Sequence, residues 1–104
     1  MKKNSHGWRT AGSKLVYRNR WLRVTEYAIT YPNGRPGIYG VVEKGPGVAV
    51  VALNRRGEIY FTRQYRYTVN QVVLELPAGA VARAETPLAC ARRELFEETG
   101  VRAR

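Results

Sequence analysis

The chain has 104 residues, 18 Lys+Arg against 8 Asp+Glu, a formal charge of +10 and one cysteine. A hydrophobic fraction of 44% with 25% charged residues excludes a wholly disordered chain, and the single Cys90 excludes an internal disulfide framework. The positive charge admits polyanionic partners without choosing among nucleotides, nucleic acid and anionic lipid. Every acid is Glu, and four of the eight lie between Glu85 and Glu98.

Residues 1–14 are polar, basic and without period, which reads as a flexible tail. Met1-Lys2-Lys3 is followed by Asn4-Ser5-His6-Gly7-Trp8-Arg9, not by the apolar core of a signal peptide. No run approaches the roughly 18 apolar residues of a membrane span. The expectation is a cytoplasmic protein with no membrane partner.

From Leu15 the pattern turns to strands. Leu15–Tyr17 and Leu22–Tyr31 are rich in β-branched and aromatic residues. Pro32-Asn33-Gly34 reads as a hairpin turn, because Asn-Gly accepts positive φ. Ile38–Glu43 resumes as a strand, and Gly45-Pro46-Gly47 punctuates it. Val48–Leu53 is continuously apolar, as in a strand covered on both faces. Asn54–Gly57 turns the chain into Glu58–Arg66, and Val72–Leu76 is a further strand ended by Pro77-Ala78-Gly79. One helix follows. Thr86 is a good N-cap, Pro87 a good first residue, positions 88–98 hold strong helix formers, and Gly100 suits the C′ position. The reading is an α+β chain of about six strands and one helix, without repeats.

The chemistry concentrates on that helix. At about 100° per residue, Glu98 lies about 40° from Glu94 on one side and Glu97 about 60° on the other. Leu88, Ala91 and Leu95 form an apolar arc beside them. Like charges at these spacings repel, and the helix C-terminus disfavours anions. A divalent cation between the carboxylates removes both penalties, and hard cations prefer oxygen ligands. Taken alone, the same glutamates also fit a solvated acidic face.

The wider spacing decides between these readings. Gly79 is followed after five residues by Glu85, and after seven more by Arg93-Glu94-Leu95, then Glu97-Glu98 and Gly100-Val101. This resembles the Nudix hydrolase box at each defining position. Glu75–Gly79, Arg63–Arg66 and Tyr31–Gly34 look like segments of ADP-ribose pyrophosphatases and related nucleotide-sugar hydrolases. The resemblance implies a Nudix-type mixed sheet packed by helices, an α/β/α sandwich, here incomplete. It would cover residues 15–104 as the first two thirds of such a domain, with 15–45 as an N-terminal strand region and 46–104 as the core through the box. It implies Mg²⁺ or Mn²⁺ bound by Glu94, Glu98, Glu97, Glu85 and the Ala78 carbonyl. Glu97, Glu98 and Arg93 would serve catalysis, with Arg93 orienting carboxylates. Arg66, Arg63 and Glu75 would contact substrate, although Arg66 is equally an ordinary strand-end arginine.

The implied reaction splits a nucleoside diphosphate linked to another moiety, ADP-ribose or a nucleotide sugar, into a nucleoside monophosphate and a sugar phosphate. The alternatives are a non-catalytic nucleotide- or nucleic-acid-binding module and an inactive truncated fragment. The glutamates weigh against nucleic acid, because they repel phosphate. The partner is thus a small-molecule nucleotide, with a homodimer through the N-terminal strands plausible by resemblance. Tyr65 and Tyr67 are read as flanking Arg66 on one strand face, either stacking on a base or packing on the sheet. Cys90 reads as a buried thiol, and His6 has no partner pattern. A family member continues past the box with more strands, a second helix and a later Glu. Residues 1–104 alone are therefore expected to expose an apolar sheet face and to associate.

Overall fold

The computed structural model describes residues 3–104, so Met1 and Lys2 of the expected tail lie outside the described residues. The strands are β1 (Arg9–Arg18), β2 (Leu22–Thr30), β3 (Pro36–Lys44), β4 (Gly47–Ala49), β5 (Thr62–Arg66), β6 (Gln71–Glu75) and β7 (Ala78–Ala80), followed by the helix α1 (Pro87–Thr99). The α+β class holds, with seven strands and one helix among the described residues. The chain divides between Gly45 and Pro46 into two compact units.

The first unit is an antiparallel meander in the order β1-β2-β3. Arg9 to Lys14 do not form a tail: they pair with Thr30 to Glu26 of β2. The ladder bonds backbone to backbone, so a polar stretch without side-chain period still joins it. Register shifts at Thr10/Gly12 and Leu15/Tyr17 mark irregularities that interrupt any alternation. The β1–β2 turn is held by Asn19, whose Oδ1 accepts from the amides of Trp21 (2.8 Å) and Leu22 (2.9 Å).

The Asn-Gly turn is longer than a two-residue hairpin. Thr30 pairs with Pro36, and the loop Tyr31–Arg35 lies between them. Gly34 takes φ +87°, while Asn33 instead accepts the Arg35 amide on its Oδ1 at 3.0 Å. One left-handed residue suffices because the loop, not a tight pair, reverses the chain. Ile29 is the buried side chain of this unit, and Trp8 meets Tyr31 and Tyr39 edge-on with centroids 5.1 and 6.4 Å away.

The second unit holds two short antiparallel pairs, β4–β7 and β5–β6, with α1 against β4 and β7. Thr86 caps α1 as expected, its side chain accepting from Ala89, and Gly100 ends it at φ +76°. The apolar run Val48–Leu53 is not covered on both faces. Val48, Val50 and Ala52 are half-buried, while Val51 and Leu53 are 62% and 63% exposed. The alternation shows one covered face, with regular strand ending at Ala49. The helix also turns differently from the expected apolar arc. Leu95 and Cys90 are fully buried and Glu94 and Glu98 half-buried, whereas Leu88 is 60% exposed. The face toward β7 thus straddles the acidic and apolar arcs. Pro77, Cys90 and Leu95 are the fully enclosed side chains among the described residues.

Candidate active site

The site is built on β7, three residues that directly follow Pro77. Val50 N–H donates to the Pro77 carbonyl and Val81 N–H to the Pro46 carbonyl. Strand alternation then directs the amide groups of Ala78 and Ala80 to the edge away from β4. The helix occupies that edge. The Ala78 amide donates to Glu98 Oε2 at 3.2 Å, and the Ala80 carbonyl accepts from Arg93 Nη2 (3.2 Å) and from the Cys90 thiol (3.3 Å).

Gly79 lies between them because nothing larger fits. A Cβ at this position would fall on the carboxylate of Glu94. The missing side chain lets Glu94 lie directly on the strand backbone, one turn of helix from Glu98.

Arg93 organises the remaining carboxylates. Its Nε and Nη2 form a fork on Glu85 at 2.8 and 3.0 Å. Its Nη1 donates to Glu94 Oε1 at 3.0 Å and to Glu97 at 3.2–3.3 Å. Glu85 reaches the fork from the β7–α1 loop, where its Oε1 also accepts the Ala82 amide at 3.0 Å. Ala84 turns the chain there at φ +64°, a left-handed backbone that costs a residue with a Cβ about 1–2 kcal/mol. The Arg93 fork, and then the Ala82 amide, hold the Glu85 carboxyl down to about 2. The same carboxylates raise the Arg93 guanidinium above its ordinary value, Glu85 first and Glu97 next. Burial, then the Glu85 charge, pushes the Cys90 thiol up, away from the thiolate form that a nucleophile needs.

The five residues of the expected metal set are therefore near one another but do not share one point. Among the described residues no three His, Cys, Asp or Glu side chains converge as a ready metal cage. Glu85 and Glu97 face Arg93, Glu94 is shared between Arg93 and the Gly79 backbone, and Glu98 faces Ala78. Ala80 and Ala82 were not legible as site residues. They act through backbone groups, which no side-chain motif reports.

The β5–β6 hairpin carries the expected substrate residues. Arg66 Nη2 and Nε donate to Glu75 at 2.5 and 2.7 Å. The Glu75 hydrogen bond raises Arg66, the Glu98 charge adds to that rise, and Arg66 lowers Glu75 in turn. Arg66 thus lies in the field of Glu98. Arg63 does not join it, because odd and even residues of β5 face opposite sides of the sheet. The same rule corrects the tyrosines. Tyr65 lies on the face opposite Arg66, with its hydroxyl on Asn70 Oδ1 at 3.0 Å, and Tyr67 lies beyond the strand.

Comparison with known proteins agrees with this layout. Residues 8–42 match the model for the nucleoside diphosphate sugar hydrolase N-terminal domain. The chain is 30% identical over 92 residues to a methanol dehydrogenase activator of Bacillus methanolicus, covering 88% of this chain and 50% of that protein. It is 34% identical over 99 residues to an ADP-ribose pyrophosphatase of Mycobacterium tuberculosis, covering 94% of this chain and 48% of the relative. The chain spans about half the length of these relatives. A solved structure titled as an ADP compounds hydrolase superposes with a TM-score of 0.74 at 22% identity, over 99% of this chain and 56% of the other. That likeness extends to the fold. Residues 43–104, with the β7–loop–α1 segment inside them, match the model of the NUDIX domain, and the chain belongs to the Nudix family.

Proposed function

We propose that the protein carrying this chain is a divalent-metal-dependent pyrophosphohydrolase. Its substrate is a nucleoside diphosphate linked to another moiety, ADP-ribose or a nucleotide sugar. The products are a nucleoside monophosphate and a sugar phosphate. The names of the M. tuberculosis relative and of the N-terminal domain model support this substrate class.

The observation that carries the reading is the pair of carboxylates on the β7 backbone: Glu94 in the space a Gly79 side chain would fill, and Glu98 on the Ala78 amide. This donor set is all oxygen, and its Glu side chains are only partly exposed. It fits a hard cation such as Mg²⁺ or Mn²⁺, and Nudix hydrolases generally use divalent metals. Glu94, Glu98 and the Ala78 carbonyl would hold the ion, with Glu97 in reach. When bound, such an ion neutralises pyrophosphate oxygens and makes a water more acidic.

The chain supplies the rest. Glu97, with its side chain 53% exposed, can accept a proton from the attacking water through a lone pair that the long Arg93 Nη1 contacts leave open. Arg93 orients Glu94 and Glu97 and is a positioning residue. Glu85 anchors Arg93 to the loop instead of serving as a ligand. Arg66, oriented by Glu75, faces the phosphate leaving toward the hairpin, and Arg63 has no part on this face. The reading includes a cytoplasmic enzyme and a homodimer paired through the β1–β3 region.

The test is Glu94→Gln in the whole protein, assayed on ADP-ribose and on nucleotide sugars with Mg²⁺ and Mn²⁺. Losing one carboxylate from such a site costs roughly a hundredfold or more in turnover. The melting temperature should barely change. Retention of metal-dependent turnover within a few-fold would sink the assignment.

A further inference from the structure

Arg93 spends its five N–H donors in two groups. Three go to the loop and strand: Nε and one Nη2 proton to Glu85, the other Nη2 proton to the Ala80 carbonyl. Two go to the helix: the Nη1 protons to Glu94 and Glu97. The first group is a bidentate fork on a half-buried carboxylate, which a second backbone donor, the Ala82 amide, also fixes. The second group is one bond to Glu94 at 3.0 Å and a longer contact divided between both Glu97 oxygens at 3.2 and 3.3 Å, and Glu97 is more than half exposed. Parallel charge-assisted bonds are stronger and more directional than single ones. The two ends of one guanidinium thus differ in how easily they are released.

We infer that the Nη1 end of Arg93 is a displaceable counter-charge for Glu94 and Glu97, exchanged for the divalent cation while the Glu85 fork stays closed. This rests on the metal reading proposed above. Four glutamates against one arginine leave the cluster strongly anionic, and the largely shielded Glu94 needs a positive partner more than the exposed Glu97 does. Nη1 supplies it at Glu94 Oε1, the oxygen nearest the place of a Gly79 Cβ, and at the outward Glu97, so a cation arriving at β7 competes with Nη1 for the same carboxylate. Glu94 and Glu97 then turn toward the ion by side-chain rotation alone. The loop does not move, because Glu85, Ala80 and Ala82 keep their bonds. Arg93 would set both the loop geometry and, by competition, the strength of metal binding.

The experiment uses the whole protein with ¹⁵N-labelled arginine, followed by NMR through a Mg²⁺ titration. The amides of Ala78 and Gly79 report whether Mg²⁺ binds. At saturation the Arg93 Nε resonance should stay in place, while rotation about the Cζ–Nη1 bond quickens roughly tenfold as its charge-assisted bonds open. In Glu85→Gln, where the fork loses its charge, Mg²⁺ should move Nε as well. Saturation with Nε and Nη1 both unchanged, or both shifted together in the native protein, overturns the exchange but leaves the metal reading intact. No response of Ala78 and Gly79 at millimolar Mg²⁺ or Mn²⁺ overturns both.

Discussion

The two units of this chain differ in what holds them. The first has three strands of 9–10 residues in a long antiparallel ladder, shifted in register twice along β1, yet Ile29 is its one buried hydrophobic side chain among the described residues. The second has strands of 3–5 residues, and Pro77, Cys90 and Leu95 are its fully enclosed side chains, with α1 packed on β4 and β7 and a polar lattice where the helix meets β7. Charge follows the same division: +7 up to Gly45 and +3 beyond it, with six of the eight glutamates in the second unit. Regular backbone pairing makes a frame with free faces. Irregular backbone, tied by side chains, makes a site. A salt bridge shows the contrast directly. Arg23–Glu43 in the first unit joins two exposed side chains across a strand pair, whereas Arg93 joins a loop, a strand and a helix.

The sharpest way to break the comparison is at Gly79. Gly79→Ala places a methyl on the Glu94 carboxylate, so Glu94 or the strand must shift. Overpacking of this kind costs about 1–3 kcal/mol, and misplacing a reacting group by about 1 Å can cost a hundredfold in rate. We expect roughly hundredfold slower hydrolysis with a clearly lower melting temperature. Gly12→Ala, in the open first sheet, has no atom within 4 Å of the new methyl. It should leave both measurements where they were. If Gly79→Ala is as mild as Gly12→Ala, the close seat of Glu94 does not matter to function.

Next in size is the core. Leu95→Ala removes a side chain that is 1% exposed and lies between α1 and the β4–β7 pair. Buried Leu→Ala changes cost about 2–5 kcal/mol. Denaturant unfolding would read it. Ile29→Val, a smaller truncation in the first sheet, should cost about 0.5–1.5 kcal/mol. Equal losses would show that the first sheet is better covered than its exposed strands indicate.

A smaller effect separates the two arginines. Arg93→Gln leaves Glu85 and Glu94, each largely shielded, facing each other without their shared cation. Melting should fall, and hydrogen exchange in the loop 81–86 should quicken. Arg23→Gln breaks a pair that is open to solvent on both sides, and exposed ion pairs contribute little. It should change neither.

These contrasts also show what the sequence makes legible. The spacing from Gly79 to Val101 names the site because each position answers a local demand: a backbone without Cβ, a capped helix, carboxylates on adjacent turns. The caps Thr86 and Gly100 are local too, and α1 runs as expected. The misread stretches depend on partners distant in sequence. Arg9–Lys14 becomes a strand because β2 offers a ladder, not because of its side chains. Val48–Leu53 reads as doubly covered, but hydrophobicity says nothing about how many layers are present. Leu88 belongs to an apolar arc on a wheel, yet the helix turns so that Glu94 and Glu98 take the inner face. Substrate roles for Arg63 and Arg66 looked alike in sequence, and only strand alternation separates them.

The smallest expected effect concerns acid. The Glu75 carboxyl is held below its ordinary value, chiefly by its hydrogen bond with Arg66. A depressed carboxyl stabilises the folded state above its unfolded value of about 4.5, and that contribution is lost as pH falls through the lowered folded value. At neutral pH the pair is therefore fully formed, and only acid opens it. Both partners are partly exposed, so solvent screens the interaction and the stability change is slight. The position of Arg66 is the more telling readout. A carbon-detected NMR titration should place Glu75 below the usual carboxylate range, and Arg66→Gln should return it there. On the proposed reading Arg66 binds a phosphate of the substrate, and the same substitution should then weaken substrate binding more than it changes turnover. A normal Glu75 titration in the native protein would mean that the hairpin clamp is open in solution, and that Arg66 is free to leave the field of Glu98.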